Sequence, residues 1–438
     1  MATADMKFNP TRRTFIKASV LTGTVPFLPP GIDFTAVSEN QTNPIQPEMV
    51  PETKSIIGAY GSWAASLQTQ PSLSFRNARW KPEQLTRWKK EALEKTRELV
   101  AAPPQPATPE VRIERTFEYD GLTIEEISWQ LPYGRPTRAV VLKPKGAKEP
   151  LPAILALHDH AGKKYFGYRK IVKTGDDQHP LLAEHQREDY SGRAWANDVA
   201  KRGYVVLVHD AFAFGSRRVL YEDVVGLKYE GLDTRGKTDA DPEKTEHIEA
   251  YNQWSSEHEH VMSKSLFCAG TTWPGVFLSE DQVALSILCA RKDVDPQRVG
   301  CGGLSGGGLR TVYLAGLDPR IKCCVCVGFM TTWDDFALHK AYTHTWMTYT
   351  PLLPRYLDFP EILGLRVPLP TMIQSNNQDE LYTLPEMKTA DKILGEVFKK
   401  AGAGDRYTGR FYDGEHKFDQ TMQIDAFDWF DRWLKKAK

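Results

Sequence analysis

The chain carries no net charge, because its 56 lysine and arginine residues are balanced by 56 aspartate and glutamate residues. Such a chain has no overall field that attracts a phosphate backbone or an anionic lipid surface. Outside a short stretch near its start, the sequence also lacks any apolar run of ~18 residues, the length that a membrane-spanning helix requires. We therefore expect no nucleic-acid partner and no stable membrane anchor.

Patterns of metal-ligating residues are also lacking. The six cysteines form no paired C-x-x-C motifs, and neither the pair His158 and His160 nor the run His258-Glu259-His260 has a third ligand at helical spacing. We therefore predict no metal and no other cofactor. Four cysteines on predicted strands are expected to be small buried apolar residues, with a disulfide as the alternative in an oxidising compartment: Cys301, Cys323, Cys324 and Cys326.

The N-terminus has the features of an export signal. Residues 11–28 read TRRTFIKASVLTGTVPFL, in which two adjacent arginines precede a modest apolar stretch, and this combination is typical of a twin-arginine signal. The apolar stretch is shorter than the ~20 residues that span a bilayer, and Ala36-Val37-Ser38 offers a cleavage site. We expect residues 1–38 to be a signal peptide, the twin-arginine export machinery to be a partner, and the mature protein to be periplasmic or secreted in a bacterium.

The rest of the chain has a globular composition, with 41% hydrophobic and 26% charged residues. Residues 39–110 are predicted to be a proline-rich linker followed by a helical accessory segment, because apolar residues recur at helical spacing after Pro82. Between 111 and 143, short β-rich runs separated by Asp-Gly and Tyr-Gly predict an antiparallel hairpin or meander.

After residue 150, near-continuous apolar strands alternate with helices. This alternation predicts an α/β fold with a mostly parallel central sheet and helices on both faces. Residues 111–438 are therefore expected to form one main domain. Two stretches rich in aromatic and charged residues, about 215–270 and 331–366, interrupt the alternation and are predicted to be insertions over the strand ends.

A candidate nucleophile lies in the segment Gly303-Leu304-Ser305-Gly306-Gly307, a G-x-S-x-G motif between a predicted strand and a predicted helix. In that context the motif is typical of a nucleophile elbow, a tight turn that presents a serine at the end of a strand. The turn strains the serine backbone, so the residues two before and two after it must be small. Ser305 is the predicted nucleophile, and a glycine-rich turn without chemistry is the alternative.

A serine nucleophile needs a base to take its proton. In folds with this elbow the chain order is serine, acid, histidine. His416 follows the last predicted strand and precedes the last helix, which is where such a base belongs. The other late histidines, His339 and His344, fall inside the second insertion, so His416 is the predicted base.

The base in turn needs a carboxylate that holds its tautomer. Asp379 follows the predicted strand VPLPTMIQS and is the predicted acid. Its adjacent competitor is Glu380. Asp334 and Asp335, which follow the preceding strand, are more distant alternatives.

Acyl transfer also needs two N–H donors for the oxyanion. Gly306, directly after the serine, is predicted to supply one. The second is expected from the loop LHDHAG at 157–162, after the first parallel strand of the core. His160 is the preferred donor there, with Asp159 and Ala161 as alternatives.

From about residue 110 to residue 436 the chain resembles the α/β-hydrolase superfamily, close to its dienelactone-hydrolase-like and acetyl xylan esterase-like branch. The matching segments are LHDHAG at 157–162, HDAFAFGSRR at 209–218, DPQRVGCGGLSGGG at 295–308, NNQDELYTLPEM at 376–387 and GEHKFD at 414–419. The resemblance implies a serine hydrolase that forms an acyl-enzyme, with Ser305, Asp379 and His416 as its triad.

Two departures narrow this resemblance. Dienelactone hydrolases proper use cysteine as the nucleophile, so the serine argues against that reaction. Glucuronoyl esterases, another exported relative, have arginine directly after the serine. Gly306 occupies that position here, which argues against a uronate ester as the substrate.

Substrate contacts are expected from the insertions, because loops vary while the sheet holds the catalytic groups. Trp273 and Trp333 are candidates for stacking on a sugar or aryl ring, and Arg217 is a candidate contact to a carboxylate or sugar hydroxyl. The opposing interpretation is that the tryptophans pack the insertions against the core and that Arg217 is a surface charge.

These features together predict an exported serine hydrolase that cleaves carboxylic esters, acting on an acylated carbohydrate or another small ester. A peptidase or amidase of the prolyl-oligopeptidase type is one alternative, although the first 110 residues are too few for a propeller of at least four blades. A non-catalytic binding protein on a hydrolase scaffold is the other. Such a protein would have no need of serine, acid and histidine together.

Overall fold

A nine-stranded sheet forms the centre of the part of the chain that the computed structural model describes, residues 55–68, 70–229, 232–239 and 243–435. The strands are β1 (Arg112–Tyr119), β2 (Leu122–Trp129), β3 (Thr137–Pro144), β4 (Leu151–Ala156), β5 (Val205–His209), β6 (Lys228–Tyr229), β7 (Leu232–Asp233), β8 (Val294–Leu304), β9 (Cys323–Val327), β10 (Thr371–Asn376) and β11 (Tyr407–Tyr412). Their order in the sheet is β1-β2-β3-β5-β4-β8-β9-β10-β11, and β6 pairs with β7 in a separate hairpin.

The pairing of neighbouring strands changes from antiparallel to parallel once across this sheet. Strands β1, β2 and β3 form an antiparallel meander, and β3 is antiparallel to β5. Every later pair of neighbours in the sheet, from β5 and β4 to β10 and β11, is parallel. The predicted meander and the predicted mostly parallel sheet are both confirmed.

Helices cover both faces of the sheet. They are α1 (Gly61–Ser66), α2 (Leu85–Val100), α3 (Pro180–Tyr190), α4 (Trp195–Lys201), α5 (Thr245–Glu257), α6 (Glu259–Cys268), α7 (Trp273–Ala290), α8 (Gly306–Leu317), α9 (Phe359–Gly364), α10 (Leu384–Lys400) and α11 (Gln420–Leu434). Val205 and Leu207 of β5 belong to the apolar cluster that includes residues of α7, α8 and α10, whereas Val206 and Val208 belong to the cluster that includes residues of α4 and α11. Successive residues of a strand point to opposite faces, so a strand buried on both sides is apolar throughout.

Two helices, α3 and α4, precede β5. Helix α3 ends at Tyr190 and α4 begins at Trp195. Ser191 and Gly192 separate them, with φ angles of 55° and 73°. Glycine adopts such a left-handed backbone without steric cost, and the turn ends α3 before α4 begins.

The accessory segment packs on the same core. Helix α2 places Trp88 fully inside, where its indole N–H donates to Leu73 O at 2.6 Å. The stretch 215–270 contains the β6–β7 hairpin, α5 and α6, while the stretch 331–366 contains a π-helical turn, Asp335–Lys340, and α9.

Two further predictions concern the termini and the cysteines. The predicted signal peptide, residues 1–38, lies outside the described residues. Across the residues that are described, no helix is both long and apolar enough to cross a membrane. All six cysteines are described and free, and those of β8 and β9 are buried, as predicted: Cys301, Cys323, Cys324 and Cys326.

Candidate active site

Ser305 lies in the tight turn that joins β8 to α8. Its backbone has φ 58° and ψ −117°, a strained conformation for a residue with a Cβ atom. A Cβ atom added at Gly303 or at Gly307 would collide with the carbonyl oxygen of Leu157 on the neighbouring loop. Only glycine fits at these two positions, so the structure has the strained turn that the motif predicted.

The neighbouring strand end brings His416 beside the serine. The Ser305 N–H donates to Val327 O at 2.9 Å, which places Gly328 next to the turn. A Cβ atom added at Gly328 would lie 2.9 Å from Cε1 of His416 and 3.0 Å from a side-chain methyl of Leu304, the residue before the serine. The imidazole therefore occupies the space that glycine leaves open at the end of β9.

Asp379 holds this imidazole. Its Oδ2 lies 2.6 Å from Nδ1 of His416, and its Oδ1 accepts the Leu381 N–H at 3.0 Å. The carboxylate is buried, and the histidine side chain is 11% exposed. A carboxylate on Nδ1 leaves Nε2 as the nitrogen that can accept a proton, which is the tautomer that a general base needs.

The competing carboxylates lie elsewhere. Asp335 is buried, but its Oδ2 accepts the Thr331 hydroxyl and the Thr383 N–H. Asp334 accepts the Gln68 side-chain amide at 2.6 Å, and the side chain of Glu380 is exposed. Of the four sequence candidates, Asp379 is the one bonded to His416.

The predicted oxyanion loop lies directly against Gly306. A Cβ atom added there would be 2.9 Å from the backbone nitrogen of His160 and 3.1 Å from its Cβ. Ala161 and Gly162 follow with left-handed φ angles of 47° and 66°. The structure thus places the backbone nitrogen of His160 next to Gly306, the residue that follows Ser305.

The imidazole of His160 has partners of its own. Its Nδ1 accepts the Gly162 N–H at 2.9 Å, so its Nε2 carries the proton and donates to Glu259 Oε1 at 2.6 Å. Burial lowers the pKa of His160, although Glu259 opposes the shift. The neutral side chain is occupied on both nitrogens, which leaves the backbone N–H as the group of His160 that can face a substrate.

Glu259 ties several segments together behind this loop. Its Oε1 also pairs with Lys164 at 2.5 Å, and its Oε2 accepts the Thr345 hydroxyl at 2.5 Å and the Trp346 N–H at 3.2 Å. Burial raises the pKa of Glu259, but Lys164 and His160 outweigh burial and hold it well below its usual range. The carboxylate is therefore ionised throughout the neutral pH range.

The three predicted substrate contacts are buried. Trp273 is fully enclosed among Phe212 and Phe277, and Trp333 donates its indole N–H to Leu357 O at 3.1 Å. Arg217 pairs with buried Glu280 at 2.7 Å. These contacts match the packing interpretation of the tryptophans, and they make Arg217 an internal charge rather than a surface one.

The histidines considered as metal ligands are not assembled into a site. His158 accepts the Ala211 N–H on Nε2, and burial lowers its pKa well below the ordinary value. Within the described ranges, no three histidine, cysteine, aspartate or glutamate residues are grouped so as to hold a metal ion.

Comparison with known proteins places this geometry in context. No family model matches the chain. A curated relative, "Putative hydrolase YtaP" of Bacillus subtilis strain 168, is 25% identical over 299 residues, which cover 68% of this chain and 83% of the relative. A solved "putative acetyl xylan esterase" from Bacteroides fragilis superposes with a TM-score of 0.61 at 18% identity, covering 83% of this chain and 84% of the other. A glucuronoyl esterase from Solibacter usitatus superposes with a TM-score of 0.55 at 14% identity, covering 82% and 97%.

The two superpositions and the strand order indicate the same fold. The chain has the α/β-hydrolase fold. In this fold the carboxyl ends of the parallel strands carry the functional loops. Here Ser305 follows β8, Asp379 follows β10, His416 follows β11 and His160 follows β4, so four loops distant in sequence meet at one edge of the sheet.

Sequence reasoning missed the buried charges behind the oxyanion loop. Glu259 was considered only as a neighbour of two histidines, and Lys164 and Lys170 were not singled out. All three are buried in the structure, where Lys164 pairs with Glu259 and Lys170 pairs with Asp159. No spacing rule connects residues 164 and 259, and a lysine in a polar loop is ordinarily exposed, so the sequence offered no signal for them.

Proposed function

We propose that this protein is a serine hydrolase that cleaves carboxylic esters through an acyl-enzyme. Ser305 is the nucleophile, His416 the general base and Asp379 the acid that orients it. The observation that carries the proposal is the 2.6 Å contact between Asp379 and Nδ1 of an imidazole packed on Gly328, beside a serine with a strained backbone. A nucleophile, a base and an orienting carboxylate in this arrangement are what acyl transfer requires.

The steps follow from these positions. His416 takes the Ser305 hydroxyl proton on Nε2 while Oγ attacks the ester carbonyl, and the resulting oxyanion accepts the N–H groups of Gly306 and His160. The tetrahedral intermediate collapses as His416 returns the proton to the leaving alcohol. Water then attacks the acyl-enzyme by the same route and releases the acid, which restores Ser305.

We infer that the substrate is an acylated carbohydrate with a neutral acyl group. The names of the solved neighbours, acetyl xylan esterase and glucuronoyl esterase, support an ester of a carbohydrate. Gly306 supports the neutral acyl group, because this position carries no side chain that could bind a uronate, and a Cβ atom there would lie only 2.9 Å from the backbone nitrogen of His160. The twin-arginine pattern at 11–28 supports action outside the cytoplasm.

Intact-mass spectrometry after a fluorophosphonate probe tests the nucleophile. We expect one adduct on the wild-type protein and none on Ser305→Ala, with turnover lost in that variant because no other group can form the acyl-enzyme. Ser286→Ala, which removes a serine hydroxyl on α7 that donates to Gln282 O and accepts from Arg320, is the matched control and should behave as the wild type. Hydrolysis by Ser305→Ala at the wild-type rate would overturn the proposal.

A panel of substrates then tests the class. Acetylated xylan, aryl acetates, methyl esters of uronates and peptide amides are compared at equal enzyme concentration. We expect turnover of the acetyl esters, with little on the uronate esters or the amides. Preferred cleavage of amides would replace the esterase assignment with an amidase one.

A further inference from the structure

Lys170 is a fully buried lysine that the proposed mechanism does not use. Its ammonium donates to two successive backbone carbonyls, that of Asp159 and that of His160, the latter at 3.1 Å. Both carbonyls belong to the oxyanion loop. A buried ammonium needs strong partners, and here two of them are peptide groups next to the reacting serine.

The bond between Lys170 and the Asp159 carbonyl also affects the N–H group at the other side of the same peptide. The carbonyl of Asp159 and the N–H of His160 belong to the same planar trans peptide, so they point in opposite directions. Fixing the carbonyl on Lys170 therefore fixes the direction of the N–H. From the Cβ position of Gly306, the nitrogen of this peptide lies 2.9 Å away and its carbonyl carbon 3.4 Å away, so the nitrogen side is the nearer one to the serine turn.

The same contact strengthens the donor. A charge-assisted bond to a peptide carbonyl polarises the whole group and makes its N–H a better hydrogen-bond donor. It also holds a loop that is locally strained, since Ala161 has a φ of 47°. The Asp159 carbonyl also accepts the Nδ1–H of His158 at 2.9 Å, since Nε2 of that imidazole accepts the Ala211 N–H. His158 is a neutral donor, so Lys170 supplies the charge-assisted part of the bonding that sets the direction and polarity of the His160 N–H.

Lys170 is itself anchored by a charged cluster on its far side. Asp159 Oδ2 lies 3.3 Å from the ammonium, and Asp159 Oδ1 accepts the Tyr190 hydroxyl at 2.5 Å and lies 3.1 Å from His185 Nε2. The face of Phe214 lies 4.7 Å from the ammonium. These contacts fix the ammonium from several directions and leave little freedom for the carbonyls that it binds.

We propose that Lys170 is a positioning residue of the oxyanion hole, which aims and polarises the His160 N–H by holding the Asp159 carbonyl. The inference rests on the proposed esterase function. It assigns a role in the transition state to a side chain that lies behind the loop and touches no reacting atom.

Two variants test the proposal. Lys170→Met removes the charge and the donor while keeping the length of the side chain, and Lys170→Gln keeps a neutral donor. Because the oxyanion forms only in the transition state, we expect Lys170→Met to lower kcat on an aryl acetate by about 10- to 100-fold with KM nearly unchanged. The fall in kcat should be smaller for Lys170→Gln than for Lys170→Met.

Lys400 provides a matched control. Its ammonium also donates to two backbone carbonyls, those of Phe75 and Asn77, but it does so on α10 against the accessory segment. Lys400→Met should lower the thermal unfolding temperature and leave kcat within about twofold of the wild type. Comparing kcat with the unfolding temperature separates loss of positioning from loss of stability.

The outcomes are distinct. A folded Lys170→Met or Lys170→Gln protein with wild-type kcat would overturn the inference, as would losses that match only the fraction of unfolded protein or that appear in KM alone. Where Lys170→Met does not fold, Lys170→Gln decides by the same criteria. Failure of the proposed function would instead appear in the wild-type protein, as absence of ester turnover and of a Ser305 adduct.

Discussion

The two sides of Ser305 are built differently. On the side of the proposed base, here called the base side, His416 and Asp379 come from short loops after adjacent parallel strands, β11 and β10, and one hydrogen bond of 2.6 Å joins them. On the side of the proposed oxyanion donor, here called the donor side, the His160 loop, which includes Asp159, is held by buried groups from three other segments. These groups are Lys164 and Lys170, His185 of α3, and Glu259 of α6.

The base side therefore depends on its own catalytic side chains, whereas the donor side depends on contacts with distant segments of the chain. The base side needs only its own residues at strand ends, which the parallel sheet aligns. The donor side is a strained loop whose useful group is a backbone N–H, and a backbone group can be aimed only by what binds its peptide. We therefore expect variants on the base side to act directly on chemistry and variants on the donor side to act through geometry.

The largest effect is expected from Asp379→Asn. An amide in place of the carboxylate favours the wrong imidazole tautomer, so kcat should fall by about 10⁴-fold. Steady-state kinetics on an aryl acetate measures the loss. Glu380→Gln, which changes the adjacent exposed carboxylate, is the control and should retain activity. A loss in Glu380→Gln as large as in Asp379→Asn would reassign the acid.

Gly306→Ala should have a smaller effect, on the donor side. The added methyl group meets the nitrogen of His160 at 2.9 Å and its Cβ at 3.1 Å, so the loop must shift and kcat should fall by about 10- to 100-fold. The control is Gly395→Ala in α10, where the nearest atom is 3.9 Å away. Wild-type kcat in Gly306→Ala would show that the His160 N–H is not the second donor.

The sequence predicted those features that depend on a single residue type or on the pattern of apolar residues along a strand or helix. Strands apolar on both faces predicted the parallel sheet, and the small residues around Ser305 predicted the strained turn. His416 could be chosen because it follows the last strand. Asp379 could be placed beyond its strand, but only the contact with His416 distinguishes it from Glu380.

What the sequence could not predict depends on contacts between distant segments. Lys170 lies ten residues beyond His160 with no periodic relation to it, and Glu259 reaches the loop from another helix. Trp273 and Trp333 could not be assigned from the sequence for the same reason. A tryptophan in or beside an insertion looks the same in the sequence whether it lines a pocket or packs inside the protein. Burial alone separates these cases, and burial is a property of the folded chain.

The smallest effect, and the sharpest test of the two sides, is an alkaline decline in the pH dependence of kcat/KM. A protonated His416 cannot accept the serine proton, so activity should fall as the pH decreases from about 8 to about 5. Burial lowers the pKa of Lys170 to about 8, although the charge of Asp159 opposes this shift and Lys163 and Lys164 add to it. Above that pH the ammonium becomes a neutral amine, which polarises the Asp159 peptide less, and a decline of a few fold should follow.

The pH profiles of kcat/KM for the wild type, Lys170→Gln and Lys400→Met separate the fall at low pH, the acid limb, from the decline at high pH, the alkaline limb. Glutamine does not titrate, so the residual activity of Lys170→Gln should keep the acid limb and lose the alkaline decline, while Lys400→Met should keep both. Intrinsic fluorescence at each pH checks that the fold persists. An alkaline decline of the same size in Lys170→Gln would assign that limb to another group, whereas its disappearance would show that the charge of Lys170, and not only its hydrogen bonds, acts on the donor side.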